Sequence, residues 1–288
     1  MILIVDSGST KTDWCLLASS GKTTHVQTEG MNPYQQTREQ LRWVVGECLL
    51  PQIAKDLWAG PITDVWFYGA GCTPQKAPVV KEVLSSFFRR ADVVVESDMV
   101  GAAYALLGKK EGIACILGTG SNSCYWDGEK IVQNVPALGY VLGDEGSGAV
   151  LGKRLVADLL KNQLGEDLKE KFLNRFQTTQ ADIIEHVYRQ PLANRYLASL
   201  SVFAAENIGN EKIVALVSDH FRNFVDRNLK QYPSGLSVGY VGSIAYFYKD
   251  ILLDVMNKAG YDDVVIMRSP MDGLVALAKD VCTDSNKV

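Results

Sequence analysis

One pattern occurs twice in this chain, and it limits the fold more than any other feature. An apolar run, Ile2 to Val5, leads into DSGSTKT at 6–12, and strand-like residues 13–18 follow at once. Later, residues 113–117 lead into GTGSN at 118–122, and 123–126 are again strand-like. Each copy adds a second turn, at Ser20-Gly21 and Asp127-Gly128, and a third short strand, at 25–28 and 130–135. The repetition predicts an internal duplication. A strand that turns back into a strand excludes a Walker A loop and a dinucleotide fingerprint, because both need a strand that runs into a helix.

Helices and strands alternate after each meander. The first copy continues with a helix over 36–57, in which Leu41, Val44, Val45 and Leu49 fall at helical spacing. A strand at 64–68, a helix at 79–88 and a strand at 92–96 follow. The second copy is mostly helical to about residue 232, then has strands at 237–241 and 264–267 and a last helix from Met271. The helix from about Glu211 sets Ile213, Leu216, Val217, Phe221, Phe224, Val225 and Leu229 on one face, which reads as a core stripe. The pattern is that of an α/β protein with mixed sheets.

Composition narrows the partners. The 288 residues, 47% of them hydrophobic, suffice for two domains. A net charge of −4 without a basic run argues against nucleic acid. No apolar stretch is long enough to span a membrane, and the N-terminus lacks a basic leader, so no membrane partner and a cytoplasmic location are expected. The six cysteines form no CxxC pair and lie far from the three histidines, which argues against zinc or a disulfide framework.

Turns of Gly, Ser and Thr present backbone N–H groups with little obstruction, and converging amides bind phosphate oxygens. Two such turns at equivalent places can grip a polyphosphate from two sides. Asp6 ends the strand before the first turn; it either caps that turn or holds Mg²⁺, directly or through water. Asp98 follows the run DVVVE and opens an apolar helix, as an N-cap or as a general base for a hydroxyl attacking a γ-phosphate. In GDEGSG, Asp144 and Glu145 precede another helix, where carboxylates suit the helix dipole and also bond sugar hydroxyls.

VDSGSTKTDW, ESDMVGAA, LGTGSN, LGYVLGDEGSG and YVGSIA, in this order, resemble the N-acetylglucosamine kinase family. That family belongs with the BadF/BadG-type ATPases in the actin, sugar-kinase and heat-shock-protein 70 superfamily. The resemblance implies two actin-like (ribonuclease H-like) domains with mixed sheets around an ATP cleft that closes on a sugar. The first domain would span residues 1–110, with the C-terminal helix and tail (271–288) packing back onto it, and the second 111–270. Asp98 matches the catalytic base. Ser9, Thr10, Lys11 and Thr12 match the first phosphate turn, Gly118, Thr119, Gly120 and Ser121 the second, and Gly242 and Ser243 the adenosine motif. Asn32, Gly71, Cys72, Gly139, Tyr140 and Asp144 resemble sugar-side residues, although many relatives carry Trp where Tyr140 stands. The implied reaction is ATP- and Mg²⁺-dependent phosphorylation of an amino sugar, N-acetylglucosamine foremost, at its C6 hydroxyl, by a possible homodimer. The alternative is an activator-type ATPase or a sugar- or nucleotide-binding sensor of the same superfamily. Activators hold an iron–sulfur cluster with a cysteine near the start of the helix after Asp98, and Met99-Val100-Gly101-Ala102 carries no thiol. The zinc-containing repressor/kinase branch carries a cysteine-rich motif that this chain lacks.

Overall fold

The computed structural model describes residues 1–8 and 10–285, with side chains through 281. Ser9, one of the expected phosphate-turn residues, lies outside them. The chain divides into two compact units: Met1–Lys110 together with the segment from Ser269, and Glu111–Arg268.

The first unit is built on five strands: β1 (Ile2–Ser7), β2 (Lys11–Leu17), β3 (Thr23–Glu29), β4 (Asp64–Gly69) and β5 (Asp92–Ser97). Their order is β3-β2-β1-β4-β5; β1 runs antiparallel to β2 and parallel to β4. Successive residues of β1 point to opposite faces, and both faces are covered, so the strand reads as a continuous apolar run. Leu3 and Val5 join a core with Trp14, Phe67, Leu41 and Val80. Ile2 and Ile4 face the other way, against Tyr68, Ala105, Met271, Leu274 and Ala278. The helices Asp98–Leu107 and Met271–Ser285 supply that second layer.

The second unit holds β6 (Gly112–Leu117), β7 (Ser121–Trp126), β8 (Ile131–Val135), β9 (Val238–Val241) and β10 (Val264–Met267), in the order β10-β9-β6-β7-β8. Read from the third strand of the meander, β8-β7-β6-β9-β10 repeats β3-β2-β1-β4-β5, with the same antiparallel hairpins and parallel neighbours. The duplication is therefore structural. One core fills this unit, from Leu151, Leu155 and Phe172 through Phe221 and Phe224 to Tyr240.

Two expectations need correction. The helix expected over 36–57 is four pieces: α-helical Arg38–Trp43, π-helical Val44–Leu49, α-helical Leu50–Ile53 and 3₁₀ Asp56–Ala59. Pro51 has no N–H for the Glu47 carbonyl, and the wider π turn, in which Leu50 N–H reaches Val45 O, absorbs the misfit. The expected turn residues Lys11, Thr12 and Ser121 also belong to strands. No helix among the described residues is long and apolar enough to cross a membrane. The cysteines with described side chains, Cys15, Cys48, Cys72, Cys115 and Cys124, are free thiols.

Candidate active site

In the first unit the Ser7↔Thr12 pair is the last rung between β1 and β2, and Gly8 N–H donates to Lys11 O at 2.9 Å. Thr12 is buried, and its hydroxyl meets Ser7 Oγ at 2.7 Å. Ser7 Oγ also accepts from Met31 N–H at 2.9 Å, which fixes the segment leading to Asn32. Thr12 thus braces the turn from inside, and Thr10 and Lys11 remain on its exposed side. Lys11 Nζ pairs with Asp13 Oδ2 at 2.7 Å.

The β1–β2 register puts Asp6 opposite Asp13, so two carboxylates face each other across the hairpin. Burial pushes the Asp6 carboxyl up to about 7; the charges of Asp13 and then Asp98 add to this, and Lys11 opposes it. Asp13 is a member of the site that sequence reading passed over, although hairpin pairing about the Gly8 turn places it opposite Asp6. Among the described residues no group of three or more His, Cys, Asp or Glu is arranged to hold a metal. Mg²⁺ that keeps water and phosphate oxygens needs only one or two carboxylates, and a cation there would offset the crowding of negative charge. Asp6 fits that role.

Asp98 opens the helix Asp98–Leu107, but Ser97 is its N-cap and accepts from Val100 N–H at 3.4 Å. Ser97 therefore occupies the N-cap position that the sequence offered to Asp98, and Asp98 stands one residue inside the helix. Asp98 Oδ1 accepts from Met99 N–H at 3.0 Å. Burial raises its carboxyl to about 6 against the pull of the backbone hydrogen bonds. Cys72 is buried, and its thiol is pushed up to about 12, first by burial and then by the Asp98 charge. Gly71 has φ +77°, and a Cβ there would overlap Asn32 Oδ1, so only glycine lets these loops meet. Asn32 is itself buried and accepts from Tyr34 N–H at 2.9 Å. The first unit thus gathers Asn32, Gly71, Cys72 and Asp98.

In the second unit the Leu117↔Ser121 pair closes a shorter turn, in which Gly118 N–H donates to Gly120 O at 3.0 Å. Gly148 and Ala149, at the start of the helix Gly148–Leu160, donate their N–H groups to Gly118 O at 2.8 Å and Thr119 O at 3.1 Å. A trans peptide points its C=O and N–H in opposite directions. The Thr119 and Gly120 amides are therefore aimed away from that helix. Gly242 has φ +121°, and a Cβ there would overlap Leu117 O, so the strand end after β9 lies directly on the turn. Ser243 is exposed at the start of the short helix Ser243–Phe247. Beyond it Arg268 stacks over the exposed rings of Tyr246 and Phe247, 6.0 and 5.7 Å from their centroids.

Asp144 adopts φ 56° and accepts hydrogen bonds from the backbone of Ser121 and Gly139. A Cβ on Gly120 would lie 3.1 Å from its Oδ2. It therefore ties the second turn to the Gly139–Leu142 helix, which carries Tyr140 and is held by Lys153 Nζ on Tyr140 O at 2.7 Å. Burial lifts the Asp144 carboxyl to about 6 despite those hydrogen bonds.

No family model matches the chain. A solved structure from Porphyromonas gingivalis, provisionally named N-acetylglucosamine kinase, is 48% identical, with 96% of this chain and 98% of that chain covered and a TM-score of 0.91. A second provisionally named N-acetylglucosamine kinase, from Chromobacterium violaceum, is 21% identical over 96% and 98% of the two chains, with a TM-score of 0.72, and speaks to the fold. The N-acetylmuramic acid/N-acetylglucosamine kinase of Clostridium acetobutylicum is 26% identical over 94% of this chain and 99% of its own length.

Proposed function

The chain belongs to the N-acetylglucosamine kinase family of the actin-like sugar-kinase superfamily, and from that premise we propose that it transfers the γ-phosphoryl group of ATP to the C6 hydroxyl of N-acetylglucosamine, with Asp98 as general base. It is a sugar kinase. The observation that carries the finer reading is the placement of Asp98. It stands one residue past the Ser97 N-cap, it neighbours Cys72, and its carboxyl value of about 6 leaves it ionised and basic at neutral pH.

In the proposed reaction the hydroxyl oxygen bonds to the γ-phosphorus, the bond from that phosphorus to the β–γ bridging oxygen breaks, and the hydroxyl proton passes to Asp98. The products are ADP and the sugar 6-phosphate. Thr10 and Lys11 serve the phosphates from the first turn, and Thr12 braces that turn. The Thr119 and Gly120 amides serve them from the second. Asp6 would hold Mg²⁺, which when bound neutralises phosphate charge. Asn32, Gly71 and Cys72 orient the sugar at the base, and Gly139, Tyr140 and Asp144 are the further sugar-side residues of this reading. Gly242 and Ser243 receive the adenosine, with the Tyr246–Phe247 surface offering a face on which a base stacks.

The test is ADP release with MgATP against a panel of hexoses and N-acetylhexosamines, with the phosphorylated position of the product determined. Turnover that depends on N-acetylglucosamine and yields the 6-phosphate is expected. ATP hydrolysis indifferent to every sugar contradicts the reading. Preference for N-acetylmuramic acid, glucosamine or N-acetylmannosamine would replace the substrate and keep the class.

A further inference from the structure

The helix Glu211–Arg227 sends three side chains, at i, i+4 and i+7, to one short loop, residues 144–147. His220 is buried and hydrogen-bonds to the backbone of Gly146 and Ser147. Phe224 packs so closely that a Cβ on Gly146 would come within 3.0 Å of its ring. Arg227 Nε pairs with Glu145 Oε1 at 2.5 Å. His220 Nε2 is buried without a hydrogen-bond partner, so the bonded ring nitrogen is Nδ1. Both backbone contacts favour the protonated ring, which makes Nδ1–H the donor and carbonyls the acceptors. An acceptor nitrogen left in an apolar core is the cost of that tautomer.

The loop leads directly to the second turn. Ser147 caps the next helix by accepting from Val150 N–H at 3.2 Å. The next two residues, Gly148 and Ala149, hold the Gly118 and Thr119 carbonyls and thereby aim the amides of Thr119 and Gly120. We propose that His220, assisted by Arg227, is a positioning residue for the second phosphate turn: it fixes the 144–147 loop, which in turn sets the direction of the amides that meet the nucleotide. This rests on the kinase reading.

A histidine that only fills the core makes the opposite forecast for two substitutions. His220→Phe keeps most of the volume and loses the donor. His220→Asn loses volume and keeps an N–H close to the Nδ1 position. The experiment measures MgADP affinity by calorimetry, and kcat with the KM for ATP and for sugar, on folded protein. Positioning gives a His220→Phe enzyme with MgADP affinity and ATP KM worse by about tenfold or more, a sugar KM close to the parent, and recovery of most of the loss in His220→Asn. A Phe variant equal to the parent, or better than Asn in both affinity and turnover, overturns the proposal. Should His220→Phe fail to fold, Arg227→Gln decides, because the Arg227 side chain is 62% exposed and its loss leaves the core intact. An ATP KM raised severalfold supports the proposal, and unchanged MgADP affinity overturns it. If the parent chain itself binds no MgADP, the kinase reading falls and the proposal with it; a parent that binds and variants that match it overturn the proposal alone.

Discussion

The turn between β1 and β2 and the turn between β6 and β7 occupy the same place in the same strand order, yet they carry different chemistry. Ser7↔Thr12 and Leu117↔Ser121 are the last rungs of the two hairpins, so Ser7 corresponds to Leu117 and Asp6 to Ile116. The carboxylate of one copy is a hydrocarbon in the other. Gly69, the partner of Ser7, then matches Gly242, one residue past Val241; Ser97, level with Gly69, matches Arg268, one residue past Met267, and the position of Asp98 is taken by Ser269. The first turn spans Gly8 to Lys11 and is flanked by Asp6, Asp13 and Asp98. The second is one residue shorter, has no charged residue of its own, and its carbonyls are tied to a helix start. Duplication thus supplied a scaffold twice; the carboxylates Asp6 and Asp98 stand in one copy only, and the carboxylate at the second turn, Asp144, comes from a separate loop. We read the first unit as the site of proton and metal chemistry and the second as a set of fixed amides for phosphate.

Substitutions that move these properties between the turns test that division. The largest effect is expected at Asp6. Asp6→Asn should lower kcat about a hundredfold with MgATP, since one fixed charge beside the transferring group is lost. Its effect on stability should have the opposite sign. The folded value of about 7 lies above the usual 3.8, so the folded chain keeps a proton that the unfolded chain releases between about pH 4 and 7. Stability of the metal-free protein therefore falls as pH rises through that window. Asp6→Asn should melt above the parent at pH 8 and match it near pH 4; thermal scans at both pH values check this, and equal melting at pH 8 would show that Asp6 bears no such penalty.

Gly242→Ala should come next. It forces a Cβ into Leu117 O at a φ of +121°, with a cost of about 1–3 kcal/mol, and displaces the second turn. A raised ATP KM with little change in sugar KM is expected; equal changes would deny the turn its nucleotide role. Ile116→Asp places the missing carboxylate in the second copy. It should weaken MgATP binding severalfold by calorimetry, more at low salt than at high, because like charges repel and salt screens them. Tighter binding would mean that the second turn tolerates a metal ligand after all. Lys11→Ala should be smallest. The Lys11 side chain is 56% exposed and paired with Asp13, so the pair contributes about 0–1 kcal/mol. A modest rise in ATP KM is expected, and a rise equally large for sugar would separate Lys11 from the phosphates.

Much of this was legible in the sequence because it is local. The two meanders, Asp6 near the end of β1, Asp98 just after β5 and the run from β9 into Gly242-Ser243 follow from short patterns of apolar residues and turn formers. What escaped depends on distant partners. Thr12 looks like a turn residue until its hydroxyl is seen to meet Ser7 Oγ, which in turn accepts from Met31 N–H. Ser97 and Asp98 are both fit to cap a helix, and only backbone geometry separates them. The Glu211 helix reads as a core stripe, and most of it is one; that His220, Phe224 and Arg227 converge on a loop some seventy residues earlier leaves no mark in periodicity. The π segment had a visible cause in Pro51, but a proline alone does not say whether a helix will stop or widen.

The account is tested most directly by measuring kcat and MgADP affinity together on Asp98→Asn. If proton chemistry lies in the first unit and the nucleotide amides in the second, the variant binds MgADP as the parent does and loses about 10²- to 10⁴-fold in sugar-dependent turnover. A variant with near-parent kcat would show that Asp98 is not the base, and the division between the two copies would have to be abandoned.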